Sequence, residues 1–137
     1  MKSILIDAGP IVALFDKDDN YHIKIKRFMQ TVSQKLVTTW PVVTETCHML
    51  NFNVNVQIDF MKWLDRNAVS IFNIRQEHLE RIISMSEKYK DIPMDFADAT
   101  LMIAGEDLGI KEIISIDSDY DIYRTLKKGH IKNVFEK

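Results

Sequence analysis

The sequence predicts an α/β fold, a parallel sheet covered on both faces by helices, and two observations carry that reading. Short apolar, β-branched runs recur at residues 3–6, 35–38, 69–74, 112–116 and, weakly, 133–135, each the length of a strand. Segments with helical spacing of apolar residues fill the gaps. Continuous hydrophobic strands that alternate with helices are the pattern of a parallel sheet buried from both sides.

The elements follow in order. The first strand runs into Asp7, an ionisable residue at the end of an apolar run, with Gly9-Pro10 reading as a compact turn. Residues 21–32 place Ile25, Phe28, Met29 and Val32 on one helical face. Pro41 suits a first helical turn, and Val42, Val43, Thr46, Cys47 and Leu50 continue that helix. The asparagine-rich stretch 51–56 interrupts the pattern, and a further helix is expected over 57–67 through Ile58, Met61 and Leu64. Leu79, Ile82 and Ile83 mark a helix over 76–89, and the next, 96–108, closes on Gly109 as its C-cap.

With 137 residues and 46% hydrophobic content, the chain reads as one domain, 1–137, able to bury a core without cross-links. A net charge of −2 excludes nucleic-acid binding by bulk charge, so any phosphate contact must be local. Cys47, the lone cysteine, rules out an internal disulfide, and no zinc-type Cys/His spacing occurs. The apolar run before Asp7 is too short for a signal peptide or a membrane span. A soluble, cytoplasmic protein is expected.

Carboxylates at strand and helix ends carry the chemistry. Asp7 follows one buried strand and Asp117 another, the end of a parallel sheet at which polar sites collect. Either residue alone reads more readily as a turn or cap residue; the pair points to a site. Asp95 and Asp98 stand three apart at a helix start, where Asp95 suits the N-cap. Asp98, flanked by Phe96, Ala97, Ala99 and Leu101, has few wet directions and is expected to face a shared pocket. Glu45, with Val42 and Met49 on its helical face, is either a snorkelling edge residue or a fourth member.

Four such carboxylates stay ionised together only around a cation, and a hard divalent ion, Mg2+ or Mn2+, matches oxygen ligands. Such an ion supports phosphodiester hydrolysis without a catalytic histidine.

The segments LIDAGPIVALFDKDDNYH, TTWPVVTETCHML, IPMDFADATLMIAGEDLG and EIISIDSDYDIYR, in this order and spacing, resemble the PIN domain family and, within it, the VapC-type ribonuclease toxins. The resemblance implies a three-layer α/β/α sandwich with a short, mainly parallel sheet. It implies a metal-dependent endoribonuclease, with Asp7 and Asp98 as metal ligands and Glu45 and Asp117 completing the catalytic set. Asp95 and Asp119 stand as possible outer groups. It further implies an RNA substrate, a small antitoxin partner and a homodimer. Many members carry Ser or Thr two residues after the first aspartate, where this chain has Gly9. A phosphatase or phosphoreceiver would also place Asp after the first strand, but Gly9 stands where the phosphatase pattern wants a second aspartate.

Two basic clusters are available for a phosphate backbone: Lys24–Arg27, and Arg124, Lys127 and Lys128 with His130 and Lys132. The second is the better substrate contact because it follows Asp117. His22, His48 and His78 have no metal spacing, and Cys47 and His48 point about 100° apart on a helix, which excludes a nucleophile pair. Trp40 and Trp63 read as packing or interface residues.

Overall fold

Strands β1 (Ser3–Ile6), β2 (Lys35–Thr39), β3 (Val69–Phe72), β4 (Glu112–Ile114) and β5 (Lys132–Asn133) form one sheet, ordered β3-β2-β1-β4-β5, in which each pairing is parallel. The structure is a computed structural model and describes residues 2–92 and 94–137; Pro93, within one of the segments quoted above, lies outside them. Six helices connect the strands: α1 (Ala8–Phe15), α2 (His22–Met29), α3 (Trp40–Met49), α4 (Val54–Asp65), α5 (Leu79–Lys88) and α6 (Phe96–Leu108). No described helix is long and apolar enough to cross a membrane.

The pleat sorts the side chains into layers. Leu5 and Thr39 face α6, where Thr39 Oγ1 meets Thr100 Oγ1 at 2.7 Å. Leu36 faces the other way, toward Leu14 of α1, Met29 of α2 and Trp63 of α4. Three layers result. Ile4, Leu5, Ile6, Ile113 and Ile114 are almost fully buried between them, which explains why these strands read as unbroken apolar runs. Helix α6 is buried without interruption from Ala97 to Gly105. At Gly105 the helix comes so near the sheet that a Cβ would stand 2.5 Å from Ile131 Cδ1. A larger residue there would have to push the Ile131 side chain aside.

Several boundaries differ from the sequence expectation, each for a local reason. Gly9-Pro10 is no turn; both lie in the first turn of α1, where the missing proline N–H costs nothing and Asp7 is the N-cap. Asn53 caps α4 by accepting from the N–H groups of Asn55 and Val56, so the asparagine-rich stretch starts a helix at 54 instead of delaying it to 57. Strand β3 ends at Phe72, not 74, because its partner β2 stops at Thr39 where α3 begins. Strand β4 ends at Ile114, not 116, once β1 gives way to α1. Strand β5 spans 132–133 where 133–135 is expected, and α2 is shorter than 21–32. Gly109 takes φ +68 as the C-cap of α6, as expected.

Candidate active site

Strand order reverses at the central strand β1, which has β2 on one side and β4 on the other, and the crevice at the carboxyl ends of β1 and β4 is where an open α/β sheet builds sites. Asp7 stands there. Its N–H donates to Ile114 O at 3.0 Å, extending the β1–β4 pairing by one residue. One carboxylate oxygen accepts from Ala8 N–H at 2.8 Å and the other from Ser115 Oγ at 3.1 Å. The side chain is therefore fixed from both sides while only 7% exposed.

Ser115 is held in turn. Asn133 of β5 accepts from its N–H at 3.1 Å and donates to its carbonyl at 2.8 Å. Ser115 Oγ also accepts from the N–H of Asp117 at 2.9 Å, which ties Asp117 to Asp7 through one hydroxyl. Asp117 caps a 3-10 turn over Ser118–Asp121 by accepting from Asp119 N–H.

Asp98 enters from α6. Asp95 is the N-cap and accepts from Asp98 N–H at 2.8 Å, as expected of it. The Asp98 side chain, 7% exposed, accepts a hydrogen bond from Tyr120 OH at 3.1 Å. Burial and the surrounding carboxylates hold that phenol protonated, so its O–H is available to donate to Asp98. Tyr120 stacks edge-on against Tyr123, whose own hydroxyl is buried without a hydrogen-bond partner.

Asp7, Glu45, Asp95, Asp98 and Asp117 together line one cavity of about 270 Å3, with Gly9, Met49 and Ile116. No lysine, arginine or histidine lines it, and none of the ion pairs among the described residues involves these carboxylates. The electrostatic consequence is clear in their titration. Burial raises Asp7 from 3.8 to about 6, against the lowering effect of the Ala8 and Ser115 hydrogen bonds, and Glu45 and Asp117 push it further up. Asp98 is raised by burial first and then by Asp7, Asp95 and Asp117, partly offset by Tyr120. Burial and Asp95 raise Glu45 as well.

These residues fit a hard divalent cation. Buried carboxylates with no cationic side chain facing them have an unmet need for positive charge, and their oxygens are the donor type Mg2+ and Mn2+ prefer. Among the described residues no three acidic, histidine or cysteine side chains close on a single point.

The other sequence candidates lie elsewhere. Asp119 does not line the cavity. Arg124 turns its guanidinium onto Asp121 O and Tyr123 O, and the segment carrying Lys127 and Lys128 packs beside the C-terminal half of α6, where Leu126 N–H donates to Glu106. Neither lysine lines the acidic cavity. His78 pairs with Asp107 and His22 bonds Ala13 O, while Trp63 packs against Phe15 and Phe60. Ser115 and Tyr120 are the site residues that sequence reasoning missed. A polar residue breaking the run EIISID marked Ser115; nothing in the pattern indicated where the Tyr120 hydroxyl points.

A PIN domain family model matches residues 4–126. The fold is similar to that in the crystal structure of Mycobacterium tuberculosis VapC20, a toxin that cleaves the sarcin–ricin loop. The TM-score is 0.80 and the identity 20%, over 87% of this chain and 93% of that one, so the likeness is one of fold. Comparison with curated protein sequences gives no match.

Proposed function

The chain belongs to the PIN domain family, and from that premise we propose that it is a divalent-metal-dependent endoribonuclease, the toxin of a toxin–antitoxin pair. One observation carries the reading: carboxylates from four separate parts of the chain, the end of β1, α3, the start of α6 and the turn after β4, line one cavity with no cationic side chain. Asp7 and Asp98 would hold Mg2+ or Mn2+, with Glu45 and Asp117 completing the acidic set. The bound ion would supply Lewis-acid neutralisation of phosphate charge and a water of lowered pKa.

The chain's own residues do the rest. Ser115 Oγ and Ala8 N–H orient the Asp7 carboxylate, and Tyr120 OH orients Asp98 through one of its two oxygens. Glu45 accepts no hydrogen bond from the described residues, so its carboxylate is free to take a proton from an attacking water. Asp117 adds negative charge on the β4 side and is itself tied to Ser115. The remaining family expectations belong to the same reading: an RNA substrate, a small antitoxin, a homodimer and a cytoplasmic location.

The test is cleavage of a total RNA pool by the purified protein. Cleavage with Mg2+ or Mn2+, abolished by chelator and by the Asp7→Asn/Asp98→Asn double variant, is expected. Equal cleavage by the double variant, or metal binding with no cleavage of any RNA, would overturn the assignment.

A further inference from the structure

At the end of the sheet opposite the carboxylates, the strands begin on lysine. Lys35 opens β2 and Lys132 opens β5, while Lys2 and Lys111 stand one residue ahead of β1 and β4. Lys35 N–H donates to Lys2 O at 3.0 Å and Lys132 N–H to Lys111 O at 2.9 Å. The register pairs Lys35 with Ser3 and Lys132 with Glu112, so the four lysines form a row along the edge of β2-β1-β4-β5 that is staggered by one residue from strand to strand. At about 4.8 Å between strands the row spans roughly 14 Å. All four are exposed, and none enters an ion pair among the described residues.

Three of them, Lys2, Lys35 and Lys111, line a cavity of about 590 Å3 between the sheet and the C-terminal end of α6. Its apolar surface comes from Val37, Phe72 and Leu108, and Glu112 is the one carboxylate in the lining. An apolar surface with an aromatic ring beside a cationic rim is how single-stranded nucleic acid is held, bases against the former and phosphates on the latter. The volume lies in the range of pockets that take a small organic ligand.

The charge distribution gives this site a purpose. A pocket of carboxylates repels a phosphate backbone, and the chain as a whole is net acidic, so affinity for RNA must come from positive charge placed elsewhere. Asp98 and Leu108 are ten residues apart on α6, about 15 Å along the helix axis. Stacked nucleotides advance about 3.4 Å each, so a strand of roughly five bridges the two ends.

We propose that the amino-end cavity is a second RNA site, where Lys2, Lys35 and Lys111 hold phosphates of a single-stranded stretch of the substrate remote from the bond being cut. It rests on the reading of the acidic cluster as a ribonuclease centre. Lys132 extends the cationic row beyond the cavity.

The measurement is binding of a fluorescein-labelled 12-nucleotide single-stranded RNA, by anisotropy in chelator, across a series of salt concentrations. The Lys2→Ala/Lys35→Ala/Lys111→Ala variant is expected to bind more weakly at low salt, with the slope of log K against log salt shallower by about 2, at about 0.7 per lysine. The matching triple Lys→Arg variant is expected to keep the wild-type slope. Should the triple alanine variant not fold, Lys35→Ala alone is expected to reduce the slope by about 0.7. An unchanged slope, or equal loss in the arginine variant, overturns the proposal.

Binding in chelator does not depend on cleavage. Lysine-dependent binding without any metal-dependent cleavage would therefore defeat the nuclease reading and leave the site standing. Metal-dependent cleavage with lysine-independent binding would do the reverse.

Discussion

Asp7→Asn is expected to make the metal-free protein more stable. The ionised Asp7 carboxylate sits buried among other carboxylates, and its pKa rises from 3.8 to about 6. At about 1.36 kcal/mol per unit, keeping it charged above that value costs about 3 kcal/mol of folding stability. Asparagine removes the charge and keeps the cap, since its carbonyl still accepts from Ala8 N–H and Asn caps as well as Asp. For a chain of this size 1 kcal/mol moves Tm by roughly 3–5 °C, so a rise of roughly 9–15 °C is expected at pH 8 in chelator. The sign of the pH dependence follows from the raised value. The proton on Asp7 stabilises the native state fully below about pH 4, and that stability is lost as pH rises through about 6. The gap between variant and wild type therefore opens between pH 4 and 6 and is constant above. Thermal melts by circular dichroism across that range read it directly. A variant that melts at or below wild type at pH 8 would show that the ionised carboxylate carries no penalty, and the case for an unmet positive charge would fail.

The remaining expectations concern the same architecture. Mg2+ or Mn2+ in excess raises the wild-type Tm but leaves that of Asp7→Asn/Asp98→Asn unchanged, because stabilisation by a ligand requires that the native state bind it; equal shifts in both would place the ion elsewhere. Ser115→Ala and Tyr120→Phe each lower Mn2+ affinity about 10–100-fold by releasing one carboxylate oxygen, read by titration calorimetry, with the fold intact by circular dichroism. Gly105→Ala costs about 1–3 kcal/mol in urea unfolding, since the new methyl meets Ile131 Cδ1 at 2.5 Å and Ile110 O at 3.2 Å. Gly9→Ser folds at least as stably as wild type, because its Cβ would meet Ile116 at an ordinary 3.6 Å and a helical glycine is replaced; a large drop in Tm would contradict that geometry.

What could be read in the sequence was what periodicity and strand ends encode. The runs around Ile4–Ile6 and Ile113–Ile114 announced central strands because burial on both faces leaves no polar positions to alternate. That Asp7 and Asp98 face one shared cavity was legible because a carboxylate beside apolar neighbours needs a reason. Helix α1 was not, since Gly9-Pro10 has the composition of a turn, and only the Asp7 cap, set by pairing of β1 with β4, turns it into a helix start. The roles of Ser115 and Tyr120 depend on side-chain direction across the chain, with Ser115 108 residues from Asp7. The basic residues show the same limit. Lys127 and Lys128 follow Asp117 closely in sequence, yet the chain turns back along α6 before reaching them. Lys2, Lys35 and Lys111, far apart in sequence, become neighbours only when the strands align.

In the proposed function Asp7 and Asp98 share a divalent cation. Anomalous difference density from a crystal soaked in Mn2+, collected at the manganese edge, tests it most directly. A single strong peak within coordination distance of both carboxylates, lost in the Asp98→Asn crystal, is the expected result. A peak away from both, or no peak at Mn2+ concentrations that support RNA cleavage, would contradict it.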